Sequence, residues 1–225
     1  MTIGKNHCIL KSQVSSDLNW NPKKAVSFYQ KMETQKSGKP PPLSEDLKKG
    51  GKPPFCYLTG GSMRIYYIKD SYIDYLRQYD NKVAENKHET RPYVGVVVEC
   101  DGIKYYAPLS SPKQKHLSMK NAKDFRKIAG GKYGAINFIN MIPVVDSALI
   151  LIDFKTINDV KYRRLLQNQY KAIRSDSDQI KKTASNLRSL LVKADSELSD
   201  YELKIKKRCC NIELLEQIFT EFNNI

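Results

Sequence analysis

The chain has 225 residues, and its 38 lysines and arginines outnumber 24 aspartates and glutamates, which gives a formal net charge of +14. Because 40% of the residues are hydrophobic and 28% are charged, the chain can bury a core, and a wholly disordered protein is excluded. The positive charge favours polyanionic partners, first nucleic acid and second an anionic membrane surface.

The sequence shows no sign of membrane insertion, secretion or metal binding. No apolar run approaches the roughly 20 residues that a membrane-spanning helix needs, and the N-terminus lacks an apolar secretory segment, so we expect a cytoplasmic protein. The five cysteines have no C-x-x-C spacing, and the three histidines do not form a ligand pattern. We therefore expect reduced thiols, no metal and no cofactor.

Residues 1–62 differ from the rest of the chain. They carry ten lysines and four acidic residues but few periodic apolar positions. The near-repeat GKPP, at 38–41 and 51–54, leads us to interpret residues 37–62 as a linker. Either residues 1–62 are a basic extension, or Met63 is the effective start of the functional domain at 63–225. We favour the second interpretation, in which residues 1–62 are disordered or have no physiological role.

The chain after residue 62 begins with β-rich segments. Ser71 and Asp74 have capping-box-like spacing, which predicts the start of a helix over 72–79. The runs 93–99 and 103–107 flank Asp101-Gly102, the strongest short-range hairpin signal. Similar short runs predict strands at 64–68, 135–138, 141–145 and 149–152.

The apolar period changes to that of helices after Asp153. It predicts amphipathic helices over 162–173, 180–191 and 212–222, the last of them capped by Asn211. Strands first and helices last predict an α+β domain with an antiparallel sheet. The first of these helices carries several basic side chains away from its apolar face, which are either solvated or in contact with RNA phosphates. They are Arg163, Arg164, Lys171 and Arg174. The charge run 204–208 is open to the same two interpretations.

Residues 107–116, with the sequence APLSSPKQKH, concentrate two serines, two lysines and a histidine directly after the second hairpin strand. Pro108 and Pro112 restrict the backbone, so that the polar groups can be held in place. Fixed cations and hydroxyls at the end of a sheet suit phosphate chemistry. An ordinary solvated loop is the alternative, and composition does not separate the two.

RNA can be cleaved without a metal because its own 2′-hydroxyl attacks the adjacent phosphorus. The protein must then orient the strand, transfer protons and stabilise the phosphate charge. Lysines and hydroxyls supply part of this chemistry, and His116 is a candidate acid or base because its ordinary pKa is about 6.5. The acidic residues form no evident cluster for a catalytic metal. Tyrosines crowd the front of the domain, where they either fill the core or stack on bases.

An ordered series of segments resembles the toxins of type III toxin–antitoxin systems, the ToxN and AbiQ endoribonucleases, over roughly residues 63–222. These segments are IY (65–66), YIDYL (72–76), DNKV (80–83), RPYVGVVVE (91–99), KYYAPLSSPKQKH (104–116), INFINMIP (136–143) and YRRLLQNQ (162–169). Because the likeness keeps its order along the whole span, it is more specific than any single motif.

The resemblance implies a strongly twisted antiparallel sheet of the Kid/MazF type with C-terminal helices. It implies a sequence-preferring endoribonuclease that cleaves single-stranded, A-rich RNA and leaves a 2′,3′-cyclic phosphate. The implied inhibitor is a pseudoknotted RNA repeat that the toxin itself processes from a precursor and with which it assembles into protein–RNA rings. The implied setting is abortive infection as a defence against phage.

The resemblance also assigns residues. Ser111, Lys113 and Lys82 are expected to carry the chemistry, together with Ser110 and Tyr72. Arg91 stands where some relatives have a lysine, so the charge persists but proton transfer there is in doubt. Further residues are expected to bind RNA, namely Lys115, His116, Arg163, Arg164, Gln169, Lys171 and Arg174.

Two other functions account for the same composition. A non-catalytic RNA-binding module would explain the charge and the tyrosines, and it would leave RNA intact. A DNA-binding regulator would use the basic C-terminal helices, but no segment has the pattern of a helix-turn-helix, so we rank it last.

Overall fold

The computed structural model describes residues 63–224, together with the backbone of Cys56 and Tyr57. The rest of the predicted N-terminal extension, residues 1–62, lies outside the described residues. Cys56 and Tyr57 pair with residues 99–100, so the predicted linker is wrong at these two positions. The reason is that residues 99–100 lie beyond the end of the neighbouring strand Arg64–Ile68 and offer an open edge there.

The described strands form one antiparallel sheet, as predicted. They are β1 (Cys56–Tyr57), β2 (Arg64–Ile68), β3 (Tyr93–Cys100), β4 (Ile103–Ser110), β5 (Phe125–Lys127), β6 (Ala135–Asn137), β7 (Ile142–Pro143) and β8 (Leu149–Leu151). Their order is β5-β6-β4-β3-β2-β8, with β1 added to β3 and β7 to β4. The predicted hairpin is confirmed as the centre of this sheet. Both turn residues, Asp101 and Gly102, have positive φ, the conformation that two-residue hairpins require.

The described helices follow mainly after the strands. They are α1 (Asp70–Tyr79), α2 (Gln114–Ser118), α3 (Val160–Ser175), α4 (Ser177–Leu191), α5 (Asp200–Arg208) and α6 (Ile212–Ile218). Single 3-10 turns occupy Ala129–Gly131, Phe138–Asn140, Asp146–Ala148, Phe154–Thr156, Asp195–Glu197 and Glu221–Asn224. The predicted helices α3, α4 and α6 are confirmed, and the Asn211 side chain accepts from the backbone N–H of Leu214. The charge run 204–208 lies in α5, a helix that the sequence did not predict, and Ile205 within the run is fully buried.

Helices cover both faces of the sheet. Successive residues of a strand point to opposite faces, and Tyr105 and Tyr106 accordingly belong to different cores. Tyr105 packs with the apolar faces of α3 and α4, whereas Tyr106 packs with α1 and α6. The carboxylate of Glu216 joins the layers, because it accepts hydrogen bonds from the Tyr105 hydroxyl and from the Arg188 guanidinium.

The predicted capping box at Ser71 is wrong. Helix α1 begins at Asp70, and its N-terminus is bound from a distant loop. The Glu89 carboxylate accepts from the Asp70 backbone N–H at 3.1 Å, and the Asp70 carboxylate accepts from the Glu89 backbone N–H at 2.9 Å. This reciprocal pair satisfies a helix N-terminus and also holds the loop that leads into β3.

Two of the cysteines are free and buried, Cys209 and Cys210. Cys100 is disulfide-bonded, so the expectation of reduced thiols is wrong for this residue. In the pairing of β1 with β3, Cys56 lies opposite Cys100.

Candidate active site

A pocket opens where β4 ends, and Ser111 lies at its edge. We call it the Ser111 pocket; its volume is about 190 Å³. Three parts of the chain line it, with the residues Thr90, Pro92, Leu109, Ser110, Ser111, Tyr162, Leu165 and Gln169. The backbone N–H of Leu109 donates to the Pro92 carbonyl at 2.8 Å, and this bond joins the end of β4 to the start of β3. Helix α3 forms the remaining wall.

A glycine turn supports the serines from below. Gly134 has φ of +91°, and a Cβ there would lie 2.0 Å from the Ser110 carbonyl oxygen. Gly131 makes a similar approach to the backbone of α2, where a Cβ would lie 2.4 Å from the His116 carbonyl oxygen. Both contacts are with backbone atoms, which cannot move aside as a side chain can. The glycine turn therefore sets how closely the backbone of the serine segment packs against it.

The proline-braced loop predicted at 107–116 is shorter in the structure. Strand β4 continues through Ser110, and Pro108 lies in it opposite Tyr93. Helix α2 then begins at Gln114, with Lys113 as its N-cap residue. The unpaired segment is therefore only residues 111–113, which holds Ser111 and Lys113 close together in sequence and both exposed.

Lys113 and Lys115 bring uncompensated positive charge to this segment. Among the described residues, no carboxylate lies within ion-pair distance of either side chain. Exposed lysines without acidic partners are available to bind a phosphate group. Each lysine ammonium group is a compact positive charge that attracts the phosphate.

Gln169 lines the pocket and has an unused hydrogen-bond acceptor. Its side chain is 2% exposed, and its Nε2 donates to the Tyr133 carbonyl at 2.7 Å. Its Oε1 is buried and has no hydrogen-bond partner in the described part of the chain. A buried acceptor without a partner is costly, so Gln169 is suited to receive a hydrogen bond from a bound ligand, such as a ribose hydroxyl or a base amine.

Arg91 lies between two residues that line the pocket, Thr90 and Pro92. Its Nε donates to the Glu85 carbonyl at 2.6 Å, and its backbone N–H donates to the Asn86 carbonyl. Lys87, His88 and Glu89, just before it, all have positive φ, which is rare in consecutive non-glycine residues. The sequence pattern did not predict this left-handed segment, which precedes Arg91 and the pocket residue Pro92.

The family model for "Toxin ToxN, type III toxin-antitoxin system" matches residues 64–220, which include every wall of the Ser111 pocket. The chain belongs to the ToxN family. Endoribonuclease ToxN of Pectobacterium atrosepticum is 31% identical over 170 residues, which cover 71% of this chain and 94% of the relative. Endoribonuclease AbiQ of Lactococcus lactis is 29% identical over 168 residues, 69% of this chain and 86% of the relative.

Solved structures of ToxN-family proteins have the same fold. One, described as showing selective toxin inhibition by a non-coding RNA pseudoknot, is 27% identical with a TM-score of 0.64 and covers 73% of this chain and all of that chain. The structure of AbiQ, described as a lactococcal anti-phage endoribonuclease, is 27% identical with a TM-score of 0.60. The match covers 73% of this chain and all of the AbiQ chain.

Of the predicted site residues of this ToxN-family chain, Ser110, Ser111 and Gln169 line the Ser111 pocket. Three of the others, Tyr72, Lys82 and His116, lie apart from the site that we propose. Tyr72 is fully buried, and its hydroxyl donates to the Pro143 carbonyl at 2.8 Å. Burial raises the pKa of Tyr72 far above its usual range, which does not suit proton transfer. Lys82 is exposed but lines a different cavity, beside Cys209 and Asn211. Neither residue takes part in the site that we propose.

His116 is the third of these residues. It is 3% exposed and packs against the Phe125 ring beneath the serine segment, so the prediction that it contacts RNA directly does not agree with its burial. Burial, with smaller contributions from Lys115 and Lys113, lowers its pKa below the usual 6.5. The buried ring holds α2 against Phe125.

The basic side chains of α3 differ in their surroundings. Arg163 is half-buried and donates to the Ile157 carbonyl, whereas Arg164, Lys171 and Arg174 are exposed. The charge run of α5 is partly neutralised, since Lys206 pairs with Asp195 and Arg208 pairs with Asp124.

The described residues contain neither a metal-binding cluster nor a membrane-spanning helix. No group of three or more His, Cys, Asp or Glu side chains there could hold a metal ion. No helix in the same residues is long and apolar enough to cross a membrane.

Proposed function

We propose that this chain is an endoribonuclease toxin that cleaves single-stranded RNA at the Ser111 pocket. The observation that carries the proposal is the pocket itself, which Ser110, Ser111 and Gln169 line within a chain of the ToxN family. The exposed Lys113, which has no ion-pair partner among the described residues, follows Ser111 by two positions. Hydroxyls, cations and a hydrogen-bond acceptor are the groups that a phosphodiester and its ribose require.

The proposed reaction needs the RNA, these side chains and solvent water as the carrier of protons. The 2′-oxygen attacks the adjacent phosphorus as its proton passes to water, while the bond from phosphorus to the 5′-oxygen breaks and that oxygen takes a proton from water. The products are a 2′,3′-cyclic phosphate and a 5′-hydroxyl. Ser111 binds the phosphate, and Lys113 stabilises the charge that develops on it. A DNA strand lacks the attacking hydroxyl and is not cleaved.

The proposed inhibitor is a folded RNA. A pseudoknot RNA inhibits the toxin in one solved relative, and a processed non-coding RNA regulates the antiviral system in another. The net charge of +14 supports an RNA partner for this chain as well. We further propose a preference for A-rich substrates, processing of the RNA repeat by the toxin, assembly into protein–RNA rings, and a role in abortive infection by phage.

The finer fold and the location are also proposals. The antiparallel sheet with helices on both faces supports a relation to the Kid/MazF toxins. A cytoplasmic location follows from the proposed cellular and phage mRNA substrates.

Cleavage in the presence of EDTA tests the function. Purified protein is incubated with A-rich single-stranded RNA, with DNA of the same sequence and with RNA carrying 2′-methoxy groups. We expect cleavage of the unmodified RNA alone, with a cyclic phosphate end detected by mass spectrometry. RNA that is bound but stays whole would identify a non-catalytic RNA-binding module instead. Cleavage that stops with EDTA would contradict the metal-independent mechanism.

A further inference from the structure

A second pocket lies on the other side of α3 from the Ser111 pocket. We call it the Arg174 pocket; its volume is about 310 Å³, within the range of small-ligand sites. Its walls include Arg64, Leu151, Phe154, Tyr170 and Arg174. A helix turns by about 100° per residue, so Tyr170 and Arg174 fall on one flank of α3 and the Ser111-pocket residues on the other. The buried side chains Leu166 and Ile173 lie between the two flanks.

The Arg174 pocket offers flat apolar surfaces. The Phe154 and Tyr170 rings lie 5.7 Å apart at a tilt of 49°, and Leu151 is 52% exposed beside them. The Arg174 guanidinium carbon lies 5.7 Å from the centre of the Tyr170 ring. Aromatic faces next to an arginine are the surfaces on which unpaired nucleobases stack.

The charge of the pocket is positive and uncompensated. Neither Arg64 nor Arg174 has a carboxylate within ion-pair distance among residues 63–224, and no acidic residue lines the pocket. Four other arginines of the domain are, in contrast, paired with acids, namely Arg77, Arg126, Arg188 and Arg208. The pocket therefore combines a surface for a base with two cations for a phosphate.

A basic path connects the two pockets across the outer face of α3. The exposed residues Lys161, Arg164 and Lys171 lie on this face, and α3 contains no Asp or Glu. Tyr162 and Arg174 are twelve residues apart, which corresponds to about 18 Å along a helix. A single strand of several nucleotides covers this distance, with its phosphates against the path.

We propose that the Arg174 pocket binds an unpaired nucleotide of the RNA substrate, several nucleotides away from the bond that is cleaved. The base stacks between Leu151 and the Tyr170 ring, and its phosphate contacts Arg64 and Arg174. This inference rests on the proposed function, because it needs the substrate strand to start in the Ser111 pocket. It makes the toxin's affinity depend on substrate length.

The test compares cleavage of two substrates by the full chain. One is an RNA of about four nucleotides around the cleaved bond, and the other is extended in both directions to about fifteen. The variant Arg64→Gln/Arg174→Gln removes both cations of the pocket. The control Lys182→Gln/Lys193→Gln removes the same charge from exposed positions outside α3 and α5. Tyr170→Leu removes the stacking surface without a change of charge.

We expect kcat/KM of the longer RNA to fall on the order of tenfold in the arginine variant, with a similar loss in Tyr170→Leu. The short RNA and the control are expected to stay unchanged. Equal losses on both lengths, or no loss on either, would overturn the inference while leaving the proposed function intact. Weaker inhibition by the folded RNA with normal cleavage of both substrates would also overturn it and assign the pocket to the inhibitor. Failure of the wild type to cleave either RNA would instead refute the proposed function.

Discussion

A Cβ on Gly134 would lie 2.0 Å from the carbonyl oxygen of Ser110, a distance that no side chain can adopt. The last residue of β4 therefore rests directly on the backbone of the glycine turn. Since Ser111 follows Ser110, this contact sets the position of the hydroxyl to which we assign phosphate binding. The position of the Ser111 hydroxyl therefore depends on Gly134, which lies 23 positions further along the chain.

We predict that Gly134→Ala abolishes RNA cleavage, because the serine segment must move away from the new methyl group. Gly102 provides the matched control. It also has positive φ, +79° against +91°, but a Cβ there meets nothing within 4 Å. Gly102→Ala should cost about 1–2 kcal/mol of unfolding free energy from backbone strain and keep its activity. Cleavage rates and thermal unfolding of both variants separate strain from displacement; equal activities would contradict the role of the contact.

Ser111→Ala and Lys113→Ala are each predicted to lower kcat by about 100-fold or more, the cost of removing one group that stabilises a charged transition state. Both side chains are exposed, so the unfolding temperature should stay close to that of the wild type. Lys120→Ala, which removes another exposed lysine nearby, is the control. Near-normal cleavage or growth arrest by both site variants would exclude the Ser111 pocket as the active site.

Gln169→Met is predicted to lower kcat/KM about tenfold, which corresponds to the loss of one hydrogen bond to the substrate. Methionine keeps a similar length but offers no carbonyl oxygen to the pocket. The control is Gln167→Met on the exposed face of the same helix. Unfolding of both proteins is measured beside cleavage. A lower unfolding temperature with unchanged cleavage would show that Gln169 serves only to hold Tyr133.

The parts of the fold that the sequence predicted are those in which neighbouring residues determine the structure. Asp101-Gly102 specifies the central hairpin because both residues tolerate positive φ. Helices α3, α4 and α6 follow from the spacing of their apolar residues. Helix α1 was placed correctly except for its first turn, since its N-terminus is satisfied by Glu89, which no local pattern connects with it.

The residue pattern itself singled out one segment of the candidate site, and Gln169 on α3, which was also predicted, lines the same pocket. Ser110, Ser111 and Lys113 were found because they are neighbours in the chain. The supports of these residues, Gly131 and Gly134, were missed because close backbone approaches arise from tertiary packing. The same packing buries Tyr72, a residue that the resemblance had assigned to the active site.

His116 gives rise to a prediction about pH and stability. Its pKa in the folded state is lowered below 6.5, mainly by burial. Between these two pKa values the unfolded chain binds more protons than the folded one, so stability is complete above about pH 6.5 and is lost as the pH falls through the folded-state pKa. His116→Leu should remove this part of the acid dependence of the unfolding temperature. His88→Asn, which changes an exposed histidine and keeps a residue that tolerates positive φ, should leave it unchanged.

The same pair of variants tests whether His116 takes part in proton transfer. A buried ring beneath the serine segment supports α2 but does not reach the RNA, so His116→Leu should keep the shape of the pH–rate profile even where its overall rate falls. If the acidic limb of the profile disappeared in this variant, while it persisted in His88→Asn, His116 would be an acid or base of the reaction. The ring would then have to become accessible when RNA binds. Its Nδ1 atom has no hydrogen-bond partner among the described residues and would be free to exchange the proton.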